Sequence, residues 1–423
     1  MPPRLLIYED AAVDQLRPLT WTRPAWDVRS GIATLAEKIA AAYPAAEVRH
    51  HVRPYLTAAV MEEAFPQVVS RREDAEALAG PLLCVNGRVQ AGEDFATRVP
   101  LDGPDERFVC GGDVVAVRLA DGRRVGEAIA SGVLDAGAFA DLPAREVDVP
   151  VVAWPWDLIR TNAREIIADF RRFYDGGRIE GDVHPRAVLE GDRIHVAAGS
   201  RIQPGAVLLA EDGPIVIGPG TLVMAGAVIQ GPVAVGADCR VRPLARLCEG
   251  TTVGPLCKVG GEVEASILHA CSSKQHDGFM GHSYVGAWCN LGADTNTSDL
   301  KNTYAPVTMT VDGREIETGC RLLGLMMGDH SKCGINTMFN TGTIVGVGCN
   351  LYGGDYQRRD VPSFTWGGRA RLGEHDFETF CSTAARAMAR RDKQFTHALR
   401  DMLEYVYHQT RGARQAATRR GSL

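Results

Sequence analysis

Aliphatic side chains recur at every sixth position through the second half of the chain. Ile217, Val223, Ile229, Val235, Val241, Leu247, Val253 and Val259 hold this spacing without a break. Four residues after each stands a small or β-branched residue: Thr221, Ala227, Val233, Cys239, Ala245, Thr251, Cys257 and Val263. A helix repeats near 3.6 residues and a simple strand at 2, so neither explains the period. A triangular coil with one short strand per side does. The aliphatic fills the interior and the small residue fits where the chain turns the corner. The pattern predicts a left-handed parallel β-helix from about Val183 to Leu351.

The register extends upstream through Val196, Ile202 and Leu208, and downstream through Val285, Leu291, Met327, Cys333, Phe339, Val345 and Leu351. Between Val259 and Val285 the spacing is not a multiple of six, which predicts a loop or an irregular coil. Residues 300–320 read as a second insertion, with a hairpin-like Val311-Asp312-Gly313-Arg314. Insertions in a solenoid map to loops, often on the binding face. Coils of this kind need their long sides covered, and parallel association is the usual means.

The first 180 residues read as α/β. Strands are expected at Leu5–Tyr8, Pro81–Val85 and Val114–Leu119, and helices at Gly31–Ala42 and Ala163–Tyr174. The tail predicts a helix from about Phe377 to Gln409, then a basic end, Arg411 to Leu423, that frays. Arg390-Arg391 reads as solvated charge. This gives three segments: 1–180, 181–360 and 361–423.

Composition adds limits. The net charge of −6 gives no reason to expect nucleic acid or an anionic membrane as partner, although local basic clusters remain able to bind phosphates. The apolar run Leu5–Tyr8 is too short for a signal peptide and no stretch approaches a membrane span, so a cytoplasmic protein is the default. The 11 cysteines show no paired motif spacing. Cys239, Cys257, Cys289 and Cys349 fall on the small positions of the repeat and read as packing residues.

Candidate chemistry concentrates where the register breaks. Ser272 to Asn302 holds Lys274, His276, Asp277, His282, Asn290, Asn296, Asp299, Lys301 and Asn302. Acyl transfer to an amine needs a base for the amine proton, and a histidine is poised for that near neutral pH. It also needs donors for the tetrahedral oxyanion. Lysines can hold substrate phosphate as point charges. His269, His276, His282 and His330 are the alternative, a set of metal ligands.

At these residues the chain resembles a known family. The repeat block is similar to the acetyltransferase half of bifunctional UDP-N-acetylglucosamine pyrophosphorylase/glucosamine-1-phosphate N-acetyltransferases. There an S-K-x-x-H-L-T-Y-L-G segment precedes N-I-G-A-G-T. Here Ser273-Lys274-Gln275-His276 leads to Gly281, then Asn290-Leu291-Gly292-Ala293-Asp294-Thr295. One residue fewer separates the lysine from the histidine, and Phe279 stands at the tyrosine position. The resemblance implies that His276 is the general base and that Asn290, with Lys274 and Lys301, lies near substrate. Arg246 and Lys258 are the nearest candidates for the basic pair that holds the sugar phosphate.

A variant bacterial branch of that family is more similar still. Its landmarks are L-x-P-L-T-x-T-R-P at Leu16–Pro24, D-x-R-x-G-I at Asp27–Ile32, N-G-R at Asn86–Arg88, W-D-L-I at Trp156–Ile159, C-K-V-G-G-E-V-E at Cys257–Glu264, K-Q-H-D-G at Lys274–Gly278 and S-D-L-K-N at Ser298–Asn302. The first domain resembles a sugar-phosphate nucleotidyltransferase without its G-x-G-T-R phosphate cradle; Glu9-Asp10 and polar residues stand there instead. Arg88 replaces the aspartate that binds magnesium, leaving Asp113 as a conceivable ligand. Arg23, Arg29 and Lys38 are the candidates to neutralise phosphates, beside Asn86 and Arg88.

The expected architecture is thus an α/β nucleotidyltransferase-like domain, a left-handed β-helix and a C-terminal α-helix. The resemblance implies acetyl transfer from acetyl-CoA to an amino-sugar phosphate in the β-helix. It implies magnesium-assisted transfer of a nucleoside triphosphate's nucleotidyl group to a sugar 1-phosphate in front, in a homotrimer. The alternatives are an acyltransferase whose first domain only binds, and a zinc-dependent β-helix lyase of the carbonic anhydrase type.

Overall fold

The computed structural model describes residues 3–420 apart from 64, 66, 67, 131, 175 and 312. A seven-stranded sheet opens the chain, formed by β1 (Arg4–Tyr8), β2 (Glu47–His51), β3 (Val68–Val69), β4 (Leu82–Asn86), β5 (Glu106–Cys110), β6 (Asp113–Leu119) and β7 (Ala144–Glu146). The spatial order is β7-β5-β6-β4-β1-β2-β3, parallel except for β6, which runs against both of its neighbours. Helix α1 (Leu35–Ala42) starts later than the sequence suggests. Gly31 sits at φ +70, and Thr34 caps the helix through a box with Glu37.

Helix α2 (Pro155–Phe173) begins eight residues before the expected start at Ala163. Its Pro155 occupies the first turn, where a missing N–H costs nothing. The buried stripe Trp156, Ile159, Asn162, Ile166, Asp169 and Phe170 lies along the β-helix. Asn162 fixes the join: its amide donates to Gly250 O at 2.7 Å and Thr252 Oγ1 at 3.0 Å, and its oxygen accepts from Gly31 N–H.

From Asp182 the chain winds into a left-handed parallel β-helix with three sheets of 11, 8 and 9 strands among the described residues. Here the first face carries Arg240–Val241, Lys258–Val259, Ser273–Lys274 and Asn290–Leu291. The second carries Arg246–Leu247, Glu262–Glu264 and Phe279–Gly281; the third carries Ile215–Ile217, Ile267–Leu268, Tyr284–Val285 and Leu325–Met327. The sixth-residue aliphatics form one continuous core, and Cys239, Cys257, Cys289 and Cys349 are buried within it as packing groups.

Of the two expected forms of the register break, the structure shows the irregular coil and not the loop. No loop leaves the helix between Val259 and Val285: every side of that coil still pairs with its neighbours. The coil is short instead. Val259 pairs with Lys274, so Lys274 occupies an interior aliphatic position, below Leu291, whose sheet neighbour is Cys333. The second insertion is a hairpin of Thr308–Val311 and Arg314–Glu317. Asp312 lies outside the described residues. Val307, Met309 and Val311 pack with Val13, Leu16 and Leu19, so this insertion fastens the first domain to the third face.

The tail is two helices rather than one: α3 (Phe377–Ala389) and α4 (His397–Gln409). Asp392 at φ 56 breaks them, and Thr396 caps the second. The basic end does not fray at its start. Helix α5 (Arg411–Arg420) is held by Arg414, 2% exposed, which donates to Glu374 Oε1 at 3.0 Å. Among the described residues no helix is long and apolar enough to cross a membrane.

One buried cluster sets the docking of α1 on α2. Lys38 Nζ lies 2.6 Å from Glu165 Oε2 and 3.0 Å from Asp169 Oδ2, and the lysine side chain is fully buried. Its candidate role at a substrate phosphate is corrected by this geometry, since no ligand can reach it. Burial raises the Asp169 pKa against the pull of Lys38. Lys38→Ala leaves buried Asp169 without this ion pair and Glu165 with Arg164 alone, with an expected loss of about 3–5 kcal/mol. Urea unfolding checks this; a change within about 0.5 kcal/mol refutes it.

Candidate functional site

The corner between the first and second faces carries the best-placed chemistry. His276 is exposed there, in the turn between Ser273–Lys274 and Phe279–Gly281. Lys274 shapes this turn from inside. Its Nζ donates to His276 O at 2.6 Å and to Asp277 O at 3.0 Å, closing carbonyls that would otherwise face the core. Burial pushes its pKa down to about 8. Lys274 is therefore a positioning residue, and the expectation of substrate contact is corrected by its inward register.

Beneath His276 the same corner holds Gly260 and then Arg242. A Cβ on Gly260 would stand 2.6 Å from Gln275 O and 3.0 Å from Arg242 Cβ, so only glycine lets these coils stack here. Lys258 lies beside Arg240, Arg242, Arg390 and Arg391, and their charges, after burial, lower its pKa. None of these five cations forms an ion pair among the described residues. Arg391 is not merely solvated: it donates to Leu256 O and to Ser273 Oγ, which brings the turn between α3 and α4 onto the first face.

The two expected phosphate candidates, Lys258 and Arg246, lie on different faces of the β-helix. Arg246 lies on the second face and is spent on Glu262. Arg240 and Arg242 are legible in the register: one precedes and one follows interior Val241, as Lys258 precedes Val259. Asn290 is exposed on the first face one coil above Ser273. Lys301 braces the insertion instead, donating to Pro306 O at 2.7 Å.

A second histidine stands one coil side away. His282 Nδ1 lies 2.8 Å from Asp299 Oδ2, and both side chains are mostly buried. Gly281 makes room for this pair, because a Cβ there would meet Asp299 Oδ2 at 2.1 Å. Phe279–Gly281 separates the two histidines by about 10 Å of strand.

The candidate phosphate residues of the first domain are mostly built into its structure. Arg23 is buried between Asp27, at 3.1 Å, and Asp329, and it touches His269 Nε2. Arg29 donates to Ile32 O at 2.7 Å, and its backbone N–H donates to Tyr284 Oη. Asn86 donates to Asp10 Oδ2 at 2.8 Å. Arg88, 1% exposed, bridges Asp10 at 2.7 Å and Asp113 at 3.0 Å.

That bridge bears on magnesium. Asp10 and Asp113 are the carboxylates a divalent cation would use, and a fixed guanidinium already lies between them. These residues do not fit the metal. Where a glycine loop would cradle phosphates, buried Glu9 accepts from Ala25 N–H at 2.8 Å and Arg53 N–H at 3.1 Å. Among the described residues, no three His, Cys, Asp or Glu side chains gather as a metal site, so the histidines of the zinc alternative do not converge.

A family model described as sugar nucleotidyl transferase matches residues 5–177. The chain is 34% identical over 126 residues to the "Bifunctional protein GlmU" of Methanocaldococcus jannaschii, covering 30% of each chain. It is 30% identical over 264 residues to that of Alkalilimnicola ehrlichii, covering 60% of this chain and 54% of the relative. It thus spans from about a third to about half the length of these relatives. It is also 32% identical over 162 residues to an "Uncharacterized acetyltransferase YaiX" of Escherichia coli, covering 38% of this chain and 70% of that one. The chain thus joins a domain matched by the sugar nucleotidyl transferase model to a hexapeptide β-helix, is similar to GlmU proteins over part of their length, and belongs to the acetyltransferase family of the relative of which it covers 70%.

Proposed function

We propose that the β-helix transfers acetyl from acetyl-CoA to the amine of an amino-sugar phosphate, with His276 as general base, in a homotrimer. The observation that carries this reading is an exposed imidazole near a cluster of cations that, among the described residues, form no ion pair. Arg242 and Lys258 hold the sugar phosphate. The amine nitrogen attacks the acetyl carbonyl carbon to form the C–N bond and a tetrahedral oxyanion, which collapses as the C–S bond breaks and the thiolate leaves. The amine proton passes to His276 and then to the departing thiolate. Asn290 lies on the coil above and is placed to donate to the oxyanion.

Incubating the protein with acetyl-CoA and glucosamine 1-phosphate, with product mass as readout, tests the reading. Arg242→Ala is expected to raise KM for the phosphorylated substrate by about tenfold or more while sparing kcat, as loss of a charge-assisted contact does. Equal KM values for variant and parent would remove Arg242 from the site.

For the first domain the family's chemistry is nucleotidyl transfer to a sugar 1-phosphate. A second reading, a domain that binds a sugar nucleotide without reacting, is favoured by Arg88 between Asp10 and Asp113. Pyrophosphate release from uridine or thymidine triphosphate with sugar 1-phosphates, with and without magnesium, separates the two.

A further inference from the structure

A cleft of about 480 Å³ lies where the first domain, the third-to-first-face corner of the β-helix and the tail helices meet. Nothing assigned to His276 uses it. Its most distinctive wall is a pair of parallel rings. Trp288 and His330 sit on adjacent coils, joined by His330 N–H donating to Ala287 O at 2.8 Å. Both adopt positive φ, 61° and 60°, which is rare for bulky side chains. Their ring centroids are 6.1 Å apart and their planes lie within 13°. Trp288 keeps part of its surface open.

His330 is a polar group without an internal explanation. It is 3% exposed, lines the cleft, and its Nδ1 is buried with no hydrogen-bond partner. Such groups in native structures call for a ligand or a reason. Asp27 also lines the cleft; its side chain keeps 23% of its surface while one carboxylate oxygen pairs with Arg23 at 3.1 Å. Lys393, from the turn between α3 and α4, stands at the same opening. Leu256 connects this cleft to the cationic column, for it lines the cleft and its carbonyl accepts from Arg391.

We infer that this cleft binds a nucleotide, its base stacked on Trp288 with ring N–H groups donating to Asp27, and its phosphates directed along Lys393 and Arg391 toward Lys258. A planar heteroaromatic ring matches the open indole face, and base stacking on an aromatic is tolerant of sequence and worth a measurable share of affinity. The polyanionic tail matches cations that have no carboxylate partners. Two sources carry this chemistry: the adenosine diphosphate part of coenzyme A, and a free nucleotide of the kind the first domain's family uses. The inference does not depend on His276 transferring acetyl.

Isothermal titration of the full chain with coenzyme A, ADP, UMP and TMP tests it. Binding of at least one is expected, weakened about tenfold or more by Trp288→Ala and largely kept by Trp288→Phe. Lys393→Glu is expected to weaken binding in a salt-dependent manner. Coenzyme A binding with weak pyrimidine binding identifies the acyl donor as the source; the reverse identifies a free nucleotide. Unfolding curves of each variant exclude misfolding as the cause. No heat with any of the four probes, or equal affinity for Trp288→Ala and parent, overturns the inference. Because the readout is binding, its failure is distinct from failure of the acetylation assay.

Discussion

Replacing His276 by alanine is expected to lower acetyl transfer by about 10²–10⁴-fold, the span typical of a lost general base. The imidazole is exposed, so the fold is expected to tolerate the change, with a shift in urea unfolding below about 0.5 kcal/mol. The loss should fall on kcat more than on KM, because phosphate binding belongs to Arg242 and Lys258. His282→Ala is the control that makes the result specific. That imidazole is held by Asp299 and also has the look of a base. If His282→Ala abolishes transfer while His276→Ala retains it, the assignment moves one side around the coil. If neither variant is affected, the β-helix site is wrong.

The two histidines differ in how far the sequence makes their surroundings legible. Period six fixes the three-sided coil because the sixth-residue interior positions are nearly all apolar and the position four residues after each is small or β-branched. Outward positions follow from the same register, so Arg240, Arg242 and Lys258 can be read as one column from their spacing alone. Lys274 cannot. It looks like a polar residue of a loop until the short coil is known, because counting shows that the register breaks after Val259 but not which residue then points inward. Its buried ammonium is satisfied by two carbonyls of its own turn, a solution that no spacing rule announces. Arg88 shows the opposite case. The substitution in the N-G-D motif is visible in the sequence, but only packing shows the guanidinium lying between Asp10 and Asp113. The cleft with Trp288 and His330 escapes for a topological reason: its walls come from three segments far apart in the chain.

Acid is expected to destabilise the protein through histidines that the fold keeps neutral. Burial lowers the pKa of His51 and His330 to about 3 and that of His50 and His269 to about 4. For His269 the geometry gives the reason. Arg23 can only donate, so Nε2 must accept, and the ring proton sits on Nδ1, donated to Tyr284 Oη at 3.1 Å. A second proton on Nε2 would face a fixed cation. Below the unfolded pKa of about 6.5, the unfolded chain takes up protons that the native state refuses, so stability falls as pH falls. Each such histidine contributes a slope of at most about 1.4 kcal/mol per pH unit, so the four together approach about 5 kcal/mol per unit near about pH 5. The midpoint of urea unfolding should therefore be nearly flat from about pH 8 to about pH 7 and drop steeply below about pH 6. His51→Gln removes one titrating group and should flatten the acid limb by about a quarter, whatever it does to stability at neutral pH. A midpoint unchanged down to about pH 5 would mean that these rings take up their protons without leaving the fold, contradicting the burial that separates them from water.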